Sequence, residues 1–208
     1  MGKGVGDRFH FRDLELEAWP GVYEPAEDSL MIAENISVCA GEVVLDIGTG
    51  CGLLAILAAR MGGRVVATDV NPLAIACARE NARTQGVLDR VDLRLGDLFE
   101  PVGDERFDLV LFNPPYLPVS PDERTGDLLE LAWDGGKTGR SVLDRFLKEL
   151  PDHMNPGGRA LFVQSSLTGE HDTAEAIEKS GLRWRVISRK KFSFEELMLF
   201  RCESPNVL

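Results

Sequence analysis

A short apolar segment that leads into a glycine-rich turn limits this chain to a small group of folds. Val43–Ile47 has the composition of a buried strand, residues 48–52 read Gly-Thr-Gly-Cys-Gly, and the segment 53–61, rich in alanine and leucine, is predicted to form a helix. A glycine turn between a strand and a helix brings the backbone close to a ligand at the helix N-terminus. The glycine spacing differs from that of the dinucleotide fingerprint, and Asp46 lies at the strand end, so the turn favours a cationic ligand over a pyrophosphate.

Acidic residues follow two further predicted strands. The strand 64–69 ends at Asp69, roughly 20 residues after the glycines, where an acid of such folds is expected to bind both hydroxyls of a ribose. The strand Val91–Leu95 leads into Gly-Asp-Leu, in which Asp97 can accept a hydrogen bond from an adenine amine and Leu98 can pack against the ring. Because ligands of open parallel sheets bind at the carboxyl ends of the strands, these acids are expected to line one crevice.

The tetrapeptide Asn113-Pro114-Pro115-Tyr116 follows a fourth predicted strand, 107–112. An amide or aromatic amine nitrogen has a delocalised lone pair, so it attacks a methyl donor only when hydrogen bonds hold and polarise it. The side-chain oxygen of Asn113 can accept one N–H and the carbonyl of Pro114 the other, while Tyr116 offers a flat face. Positioning of this kind contributes up to roughly 7–11 kcal/mol without an obligatory acid, base or metal. The tetrapeptide therefore indicates methylation of a planar nitrogen.

These motifs resemble those of the class I S-adenosylmethionine-dependent methyltransferases, and the resemblance covers almost the whole chain. With two further segments, 22–29 (VYEPAEDS) and 132–140 (AWDGGKTGR), the tetrapeptide resembles the eukaryotic and archaeal branch of the HemK-related glutamine methyltransferases. This resemblance implies N5-methylation of a glutamine side-chain amide in the Gly-Gly-Gln loop of a translation release factor, with S-adenosyl-L-methionine as cofactor. Asp46 and Ser29 stand where the family often has Glu and Thr, and both replacements keep the chemical group.

The resemblance also assigns residues to the site. Asn113 would bind the donor and the substrate amide together, and further donor contacts would come from Ser29, Asp46, Gly48, Asp69, Asp97 and Leu98. The glycine turn adds Gly50 to this group. The catalytic group consists of Asn113, Pro114, Pro115 and Tyr116. Tyr23 precedes a predicted helix and is interpreted either as a lid over the donor or as part of a simple helix cap.

A protein partner is also implied by the resemblance. Relatives in this branch work with a small zinc-binding activator protein that adds to an exposed sheet edge and covers apolar surface. The third predicted strand, Val91–Leu95, would be that edge here, because three apolar residues alternate with Asp92 and Arg94. Ordinary core packing explains this alternation equally well.

The order of the predicted elements indicates an α/β fold of the Rossmann-like class I methyltransferase type. Strands and helices alternate through most of the chain, which predicts a seven-stranded, mostly parallel sheet with helices on both faces. The last two strands, near 184–188 and 197–201, are too close for a helical crossover and are expected to form an antiparallel C-terminal hairpin. We expect one methyltransferase domain over residues 1–208, with a flexible N-terminal extension over 1–20 and no separate substrate domain.

Composition argues against several other classes of protein. Charge or glycine interrupts the apolar stretches well short of the roughly 20 residues of a membrane helix, and the N-terminus lacks the apolar core of a signal peptide, so a cytoplasmic protein is expected. The four cysteines form no C-x-x-C pair, and no metal site is predicted. A net charge of -11 disfavours stable binding of nucleic acid. The cationic segment 183–191 is interpreted as a charged edge strand or as a contact for RNA or an acidic partner.

Two other functions are compatible with the same residues. The tetrapeptide chemistry also serves methylation of the exocyclic amine of adenine in DNA or RNA, which the acidity of the chain disfavours. A non-catalytic donor-binding subunit is the second alternative, and the intact tetrapeptide argues against it. The loop that follows, roughly 114–137, is expected to be functional because structureless loops of this length are uncommon.

Overall fold

The computed structural model describes residues 6–120, 122 and 126–205, so the predictions for 1–5, for 121 and 123–125 of the long loop, and for 206–208 lie outside the described residues. The strands are β1 Asp7–Phe11, β2 Leu14–Ala18, β3 Val43–Ile47, β4 Arg64–Asp69, β5 Val91–Leu95, β6 Phe107–Phe112, β7 Met154–Ser165, β8 Arg183–Lys191 and β9 Glu196–Glu203. The α-helices are α1 Glu27–Asn35, α2 Leu53–Arg60, α3 Pro72–Thr84, α4 Ser141–Glu149 and α5 Glu170–Lys179.

Seven of these strands form one sheet in the order β5-β4-β3-β6-β7-β9-β8. β3 runs parallel to β4 and β6, β5 is parallel to β4, and β7 is parallel to β6. β9 is antiparallel to both β7 and β8, so the predicted C-terminal hairpin is confirmed. The predicted Rossmann-like, mostly parallel sheet of seven strands is likewise confirmed.

The central strands are apolar on both faces because helices cover both faces of the sheet. Val44 and Leu109 are fully buried in the core on one face, whereas their neighbours Leu45 and Val110 are fully buried in the core on the other. A parallel strand buried on two sides reads as a continuous hydrophobic run, which is how β3 and β6 appear in the sequence. This double burial fixes the positions of the strand ends at which the polar residues lie.

The N-terminal segment, predicted to be a flexible extension, contains a β-hairpin. Residues 7–18 are not a flexible extension, because β1 and β2 pair antiparallel and Leu14 and Leu16 of β2 are almost completely buried. Asn81 of α3 joins the hairpin to the body of the protein, since its side chain accepts from the backbone N of Glu17 at 3.0 Å and donates to the Glu17 carbonyl at 2.8 Å. The alternation of leucine with glutamate in β2 is the period of a half-buried strand.

The two edges of the large sheet are β5 and β8. Several cations of β8 take part in ion pairs with acids of the same chain, which supports the interpretation of this segment as a charged edge strand. These pairs are Arg183–Glu203, Arg185–Glu203, Arg189–Glu170, Arg189–Glu196 and Lys190–Glu27. No helix in the described part of the chain has the length and apolar character needed to cross a membrane.

Candidate active site

The carboxyl ends of β3, β4, β5 and β6 open into one elongated cleft. The strand order reverses between β3 and β6, and in open α/β sheets the ligand crevice lies at such a point. The cleft is lined from the turn after β3, from the ends of β4, β5 and β6, and from α1. The predicted site residues among its walls are Tyr23, Ser29, Gly48, Gly50, Asp69, Asp97, Leu98, Asn113 and Pro115. Among the predicted residues, Asp46, Pro114 and Tyr116 do not line this cleft, and Tyr116 lines an adjoining cavity instead. The structure therefore brings most, but not all, of the predicted site residues together.

Asp46 lies at the end of β3 with 1% of its surface exposed. Its Oδ2 accepts hydrogen bonds from Thr49 Oγ1 at 2.7 Å and from the backbone N of Ala55 at 3.1 Å. Its Oδ1 is buried and has no hydrogen-bond partner among the described residues. Burial raises the pKa of Asp46 to about 7, and the nearby Asp69 carboxylate adds to this effect while the two hydrogen bonds oppose it. Such an acid places negative potential behind the turn and suits a cationic ligand.

The turn between β3 and α2 depends on its glycines. Gly48, Gly50 and Gly52 have φ angles of +64°, +55° and +91°, in the region that favours glycine. A Cβ atom on Gly52 would also lie 3.1 Å from the Cβ of Ala78 in α3, so the two helices approach closely only because this residue lacks a side chain. The backbone amides of Thr49 and Gly50 donate to the end of β4, at the Thr68 carbonyl and at Oδ2 of Asp69.

Asp69 is held at the end of β4 by backbone amides. Its Oδ2 accepts from the N of Gly50 at 2.9 Å and its Oδ1 from the N of Asn71 at 2.8 Å. Burial raises the pKa of Asp69, and these backbone hydrogen bonds act in the opposite direction. Each carboxylate oxygen retains capacity to accept a second hydrogen bond. The side chain can therefore accept from two neighbouring hydroxyl groups, as a ribose requires.

Asp97 and Leu98 follow β5 and line the same cleft. Asp97 Oδ2 forms an ion pair with Nη2 of Arg145 from α4 at 2.6 Å, a contact that the sequence did not indicate. Leu98 is 4% exposed and has a φ of +46°, an unusual value for a residue with a branched side chain. Strain of this kind occurs at ligand-binding positions that the surrounding structure holds in place.

The side chain of Asn113 lies at the end of β6 and points its oxygen into a buried environment. Its Nδ2 donates to Oγ of Ser29 on α1 at 3.1 Å. Its Oδ1 is buried and has no hydrogen-bond partner among the described residues. An unpaired buried acceptor costs about 1–3 kcal/mol, so this oxygen is a candidate acceptor for an N–H group of a ligand.

Asp28 connects α1 with the tetrapeptide, although it is absent from the predicted site. It is 4% exposed and accepts from the hydroxyl of Tyr23 at 3.1 Å, from the hydroxyl of Tyr116 at 3.2 Å and from the backbone N of Ser29 at 2.6 Å. Burial and the charge of Asp28 raise the pKa of both tyrosines, so both stay protonated at neutral pH. Asp28 lies next to Ser29 within the VYEPAEDS segment, and this position is the signal that could have identified it.

A second cavity adjoins the cleft beside the tetrapeptide. Its walls are Tyr23, Asp28, Tyr116, Leu117, Ala132 and Trp133. Tyr23 and Ala132 line both spaces, so the two meet beside the tetrapeptide. The long loop supplies part of both walls through a 3-10 helix, Leu128–Ala132, and is tied to the tetrapeptide by a bridge between Leu117 and Asp134.

The thiol among the residues that line the cleft is that of Cys51. Cys51 lies in the turn, but burial raises the pKa of its thiol to about 12, so a thiolate is not accessible at neutral pH. The described residues contain no group of three or more His, Cys, Asp or Glu side chains arranged to hold a metal ion. The residues that converge are hydrogen-bond acceptors, glycine backbone and aromatic walls.

A sheet of this topology, with acids at the ends of β3, β4 and β5 and an Asn-Pro-Pro-Tyr segment after β6, defines a class I S-adenosylmethionine-dependent methyltransferase. The model of the methyltransferase small domain family matches residues 15–125. The chain belongs to this family and to its HemK-related branch. Its cofactor is S-adenosylmethionine.

Similar proteins agree with this assignment. A Methanocaldococcus jannaschii protein, provisionally named a protein N5-glutamine methyltransferase, is 44% identical over 187 residues, which is 89% of this chain and 93% of the relative. Methyltransferase HEMK2 of Homo sapiens is 32% identical over 195 residues, covering 88% of this chain and 90% of the relative. Among solved structures, the E. cuniculi Mtq2–Trm112 complex, described as responsible for methylation of the translation termination factor eRF1, matches with a TM-score of 0.67 at 26% identity over 88% of this chain and 99% of the other.

The residues present fit the cofactor. Asp46 is not among the residues that line the cleft, so it can act on a sulfonium and an ammonium group there through its charge; its Oδ1 has no hydrogen-bond partner among the described residues. Asp69 lines the cleft and retains acceptor capacity for two hydroxyl groups. When bound, S-adenosylmethionine supplies an electrophilic methyl group. Methyl transfer then requires an acceptor nitrogen that is held in line with this methyl group.

Proposed function

We propose that this protein transfers a methyl group from S-adenosylmethionine to the side-chain amide nitrogen of a glutamine in a protein. The proposed target is the Gly-Gly-Gln loop of a translation release factor. The observation that carries the proposal is Oδ1 of Asn113, which is buried and has no hydrogen-bond partner among the described residues, on a side chain that lines the donor cleft. A primary amide has two N–H groups, and Asn113 Oδ1 would accept one of them.

The other residues of the tetrapeptide complete the acceptor site in this proposal. The carbonyl of Pro114 accepts the second N–H, Pro115 forms the wall toward the donor, and Tyr116 stacks on the amide plane. Two hydrogen bonds hold the amide so that its nitrogen faces the methyl group, and the gain comes from positioning. The hydroxyl groups of Tyr23 and Tyr116 remain protonated because their pKa values are raised, so neither acts as a base.

Donor binding is assigned residue by residue in the same proposal. Asp46 provides charge complementarity from behind the turn, Gly48 and Gly50 allow the close backbone approach, and Asp69 binds the ribose. Asp97 accepts from the adenine amine with the oxygen opposite to its Arg145 contact, and Leu98 packs against the ring. Ser29 holds Asn113 at the donor side, and Tyr23 covers the junction of the two spaces. The hydrogen bonds of the three acids support this arrangement. Asp46 Oδ1 has no partner among the described residues, each oxygen of Asp69 can accept a second hydrogen bond, and Asp97 pairs with Arg145 through Oδ2.

The names of related proteins support the substrate. The M. jannaschii relative is named for N5-glutamine methylation, and the Mtq2–Trm112 complex is described as methylating eRF1.

We also propose a small, zinc-binding activator protein at the β5 edge. β5 is confirmed as an edge strand, and Leu95 at its end is 58% exposed, whereas Val91 and Leu93 are buried in the core. The exposed stretch available for a partner is therefore the carboxyl end of β5, next to the donor cleft.

The remaining expectations form part of the same proposal. A single methyltransferase domain is supported by two cores that share one sheet. A cytoplasmic location is consistent with the substrate. The net charge of -11 and the internal ion pairs of β8 argue against methylation of adenine in DNA or RNA as the main activity. The buried acceptor on Asn113 argues against a non-catalytic subunit.

Incubation with labelled S-adenosylmethionine and three classes of acceptor tests the proposal. The acceptors are a release factor with its Gly-Gly-Gln loop, a double-stranded DNA and a transfer RNA, each offered with and without a candidate activator. Label in the release factor alone is expected. Label in nucleic acid with an unlabelled release factor, in the presence of the activator, would replace the glutamine proposal with adenine methylation.

A further inference from the structure

A single hydroxyl group connects the charge of Asp28 to the amide of Asn113. Ser29 Oγ lies 3.4 Å from Oδ1 of Asp28, a long contact for a hydroxyl donor, and 3.1 Å from Nδ2 of Asn113. The backbone N of Ser29 also donates to the same Asp28 oxygen at 2.6 Å, which fixes the carboxylate beside this residue. Asp28 and Ser29 are buried residues of α1, and the half-buried Asn113 directly follows β6.

The number of protons determines the direction of each hydrogen bond. An ionised carboxylate can only accept, and a serine hydroxyl has one proton to donate. If the hydroxyl proton of Ser29 points to Asp28, the Ser29 oxygen presents a lone pair to Asn113 and can accept only from its NH2 group. The amide is then oriented with Nδ2 toward Ser29 and Oδ1 away from it, and this oxygen is buried with no partner among the described residues.

We propose that Asp28 is a positioning residue that acts through the Ser29 hydroxyl to keep the oxygen of Asn113 directed at the substrate nitrogen. This inference rests on the proposed function and extends it to residues outside the tetrapeptide. Without an acceptor at position 28, the Ser29 hydroxyl turns to donate to Asn113 Oδ1. The amide then presents its NH2 group to the substrate, and two N–H donors face each other.

Asp28 does not serve as the base of the reaction. Its two oxygens already accept from Tyr23, Tyr116 and the backbone N of Ser29, in addition to the Ser29 hydroxyl. A carboxylate that is occupied by four donors has little remaining capacity for a proton from the substrate. These contacts instead hold Asp28 in one position beside the Ser29 hydroxyl.

Substitution of Asp28 tests whether this residue positions Asn113 through the Ser29 hydroxyl. Asp28→Ala removes the acceptor, and we expect kcat to fall at least tenfold while the Kd for S-adenosylmethionine changes less than threefold. Asp28→Asn retains one acceptor oxygen for Ser29 and should give an intermediate kcat, which provides a conservative rescue if Asp28→Ala folds poorly. Glu27→Gln is the matched control, because Glu27 is the adjacent acid of α1, is half exposed and pairs with Lys190; its kcat should match the wild type.

A double-mutant cycle separates this role from a purely structural one. Ser29→Ala should lower kcat in the wild type but cause no further loss in Asp28→Ala, since the hydroxyl that turns the amide is then absent. Losses that multiply, or a kcat of Asp28→Ala within twofold of the wild type, would overturn the proposal. These kinetic outcomes are judged at saturating donor.

One readout is independent of the substrate. The side-chain amide of Asn113 gives a pair of 1H–15N signals, assigned by their loss in Asn113→Ala. We expect the pair to shift in Asp28→Ala and to stay in place in Glu27→Gln. An unmoved pair in Asp28→Ala overturns the inference. If the wild type fails to methylate the release factor, the proposed function fails, and the amide signals still decide the role of Asp28.

Discussion

Replacement of Asp46 by Asn is expected to stabilise the free protein and to weaken donor binding. The carboxyl group is 1% exposed, and burial raises its pKa from 3.8 to about 7. This difference in pKa corresponds to about 4 kcal/mol of unfavourable free energy when the group is ionised in the folded state. The amide of the variant would accept less strongly from Thr49 and Ala55 and would place a buried NH2 group where Oδ1 lies, and these costs reduce the expected net stabilisation to roughly 2 kcal/mol.

The stabilisation by Asp46→Asn is expected to increase with pH. A carboxyl group with a raised pKa in the folded state favours folding when it is protonated, and this advantage is lost as pH rises from 3.8 to about 7. The stabilising effect of Asp46→Asn should therefore be largest above pH 7 and less than half as large at pH 5. For a chain of this size, roughly 2 kcal/mol corresponds to an increase in Tm of about 4–8 °C at pH 8.

The effect on donor affinity has the opposite sign. A cation in the cleft at about 5–7 Å from the carboxylate gains about 2–3 kcal/mol at an effective dielectric constant near 20. Loss of this interaction should raise the Kd for S-adenosylmethionine roughly 30- to 150-fold at pH 7.5. The wild-type Kd should also rise as pH falls below 7 because Asp46 becomes protonated, and this limb should be absent in Asp46→Asn.

Thermal unfolding of the free protein and calorimetric titration with S-adenosylmethionine measure the two effects. Asp108→Asn is the matched control, because Asp108 lies on β6 at the opposite end of the sheet and accepts from Val43 and Asn155. It should lower Tm without changing donor affinity. If Asp46→Asn lowers Tm equally at pH 5 and pH 8 and leaves the Kd within twofold of the wild type, the assignment of Asp46 to a cationic ligand is refuted.

Three further substitutions test other parts of the account. Asn113→Ala removes Oδ1, which has no partner among the described residues, and should lower kcat by roughly 100- to 1,000-fold with little change in donor Kd. Methyl transfer at saturating donor measures this, and a kcat within fivefold of the wild type would contradict the proposed role of Asn113. Glu42→Gln breaks the ion pair with Arg159, which has an N–O distance of 2.8 Å, and should lower the free energy of unfolding by about 1–3 kcal/mol above pH 5; an unchanged midpoint in urea would contradict this. Gly52→Ala places a methyl group 3.1 Å from Ala78 Cβ at a φ of +91° and should destabilise by roughly 2–4 kcal/mol; a wild-type Tm would show that the turn tolerates side chains.

The clustering of the candidate donor residues could be predicted from the sequence because each segment that supplies them is local. The glycine turn with Asp46, the acid at the end of β4, and the Asp97-Leu98 pair each occupy a few consecutive residues. Parallel strand order then brings these segments together at one edge of the sheet. The structure shows this convergence, with Asp69 accepting from the backbone N of Gly50 across 19 positions of the chain.

The contacts that orient the substrate side could not be predicted, because they join distant segments. Tyr116 and Asp28 are 88 residues apart, and Asn113 and Ser29 are 84 apart. Arg145 reaches Asp97 across 48 residues, and no local pattern selects it from the other cations. The first hairpin was missed for a different reason. Its alternating pattern is only five residues long in β2, and the burial of its leucines depends on packing against the body of the protein.

The most direct test of the account is the location of the transferred methyl group. Peptide mapping by mass spectrometry of a release factor, after incubation with the enzyme, S-adenosylmethionine and a candidate activator, identifies the modified atom. The account predicts one methyl group on the side-chain amide of the glutamine in the Gly-Gly-Gln loop, and none with Asn113→Ala or with that glutamine replaced. A methyl group on another residue of the factor, or an unchanged yield with Asn113→Ala, would contradict it.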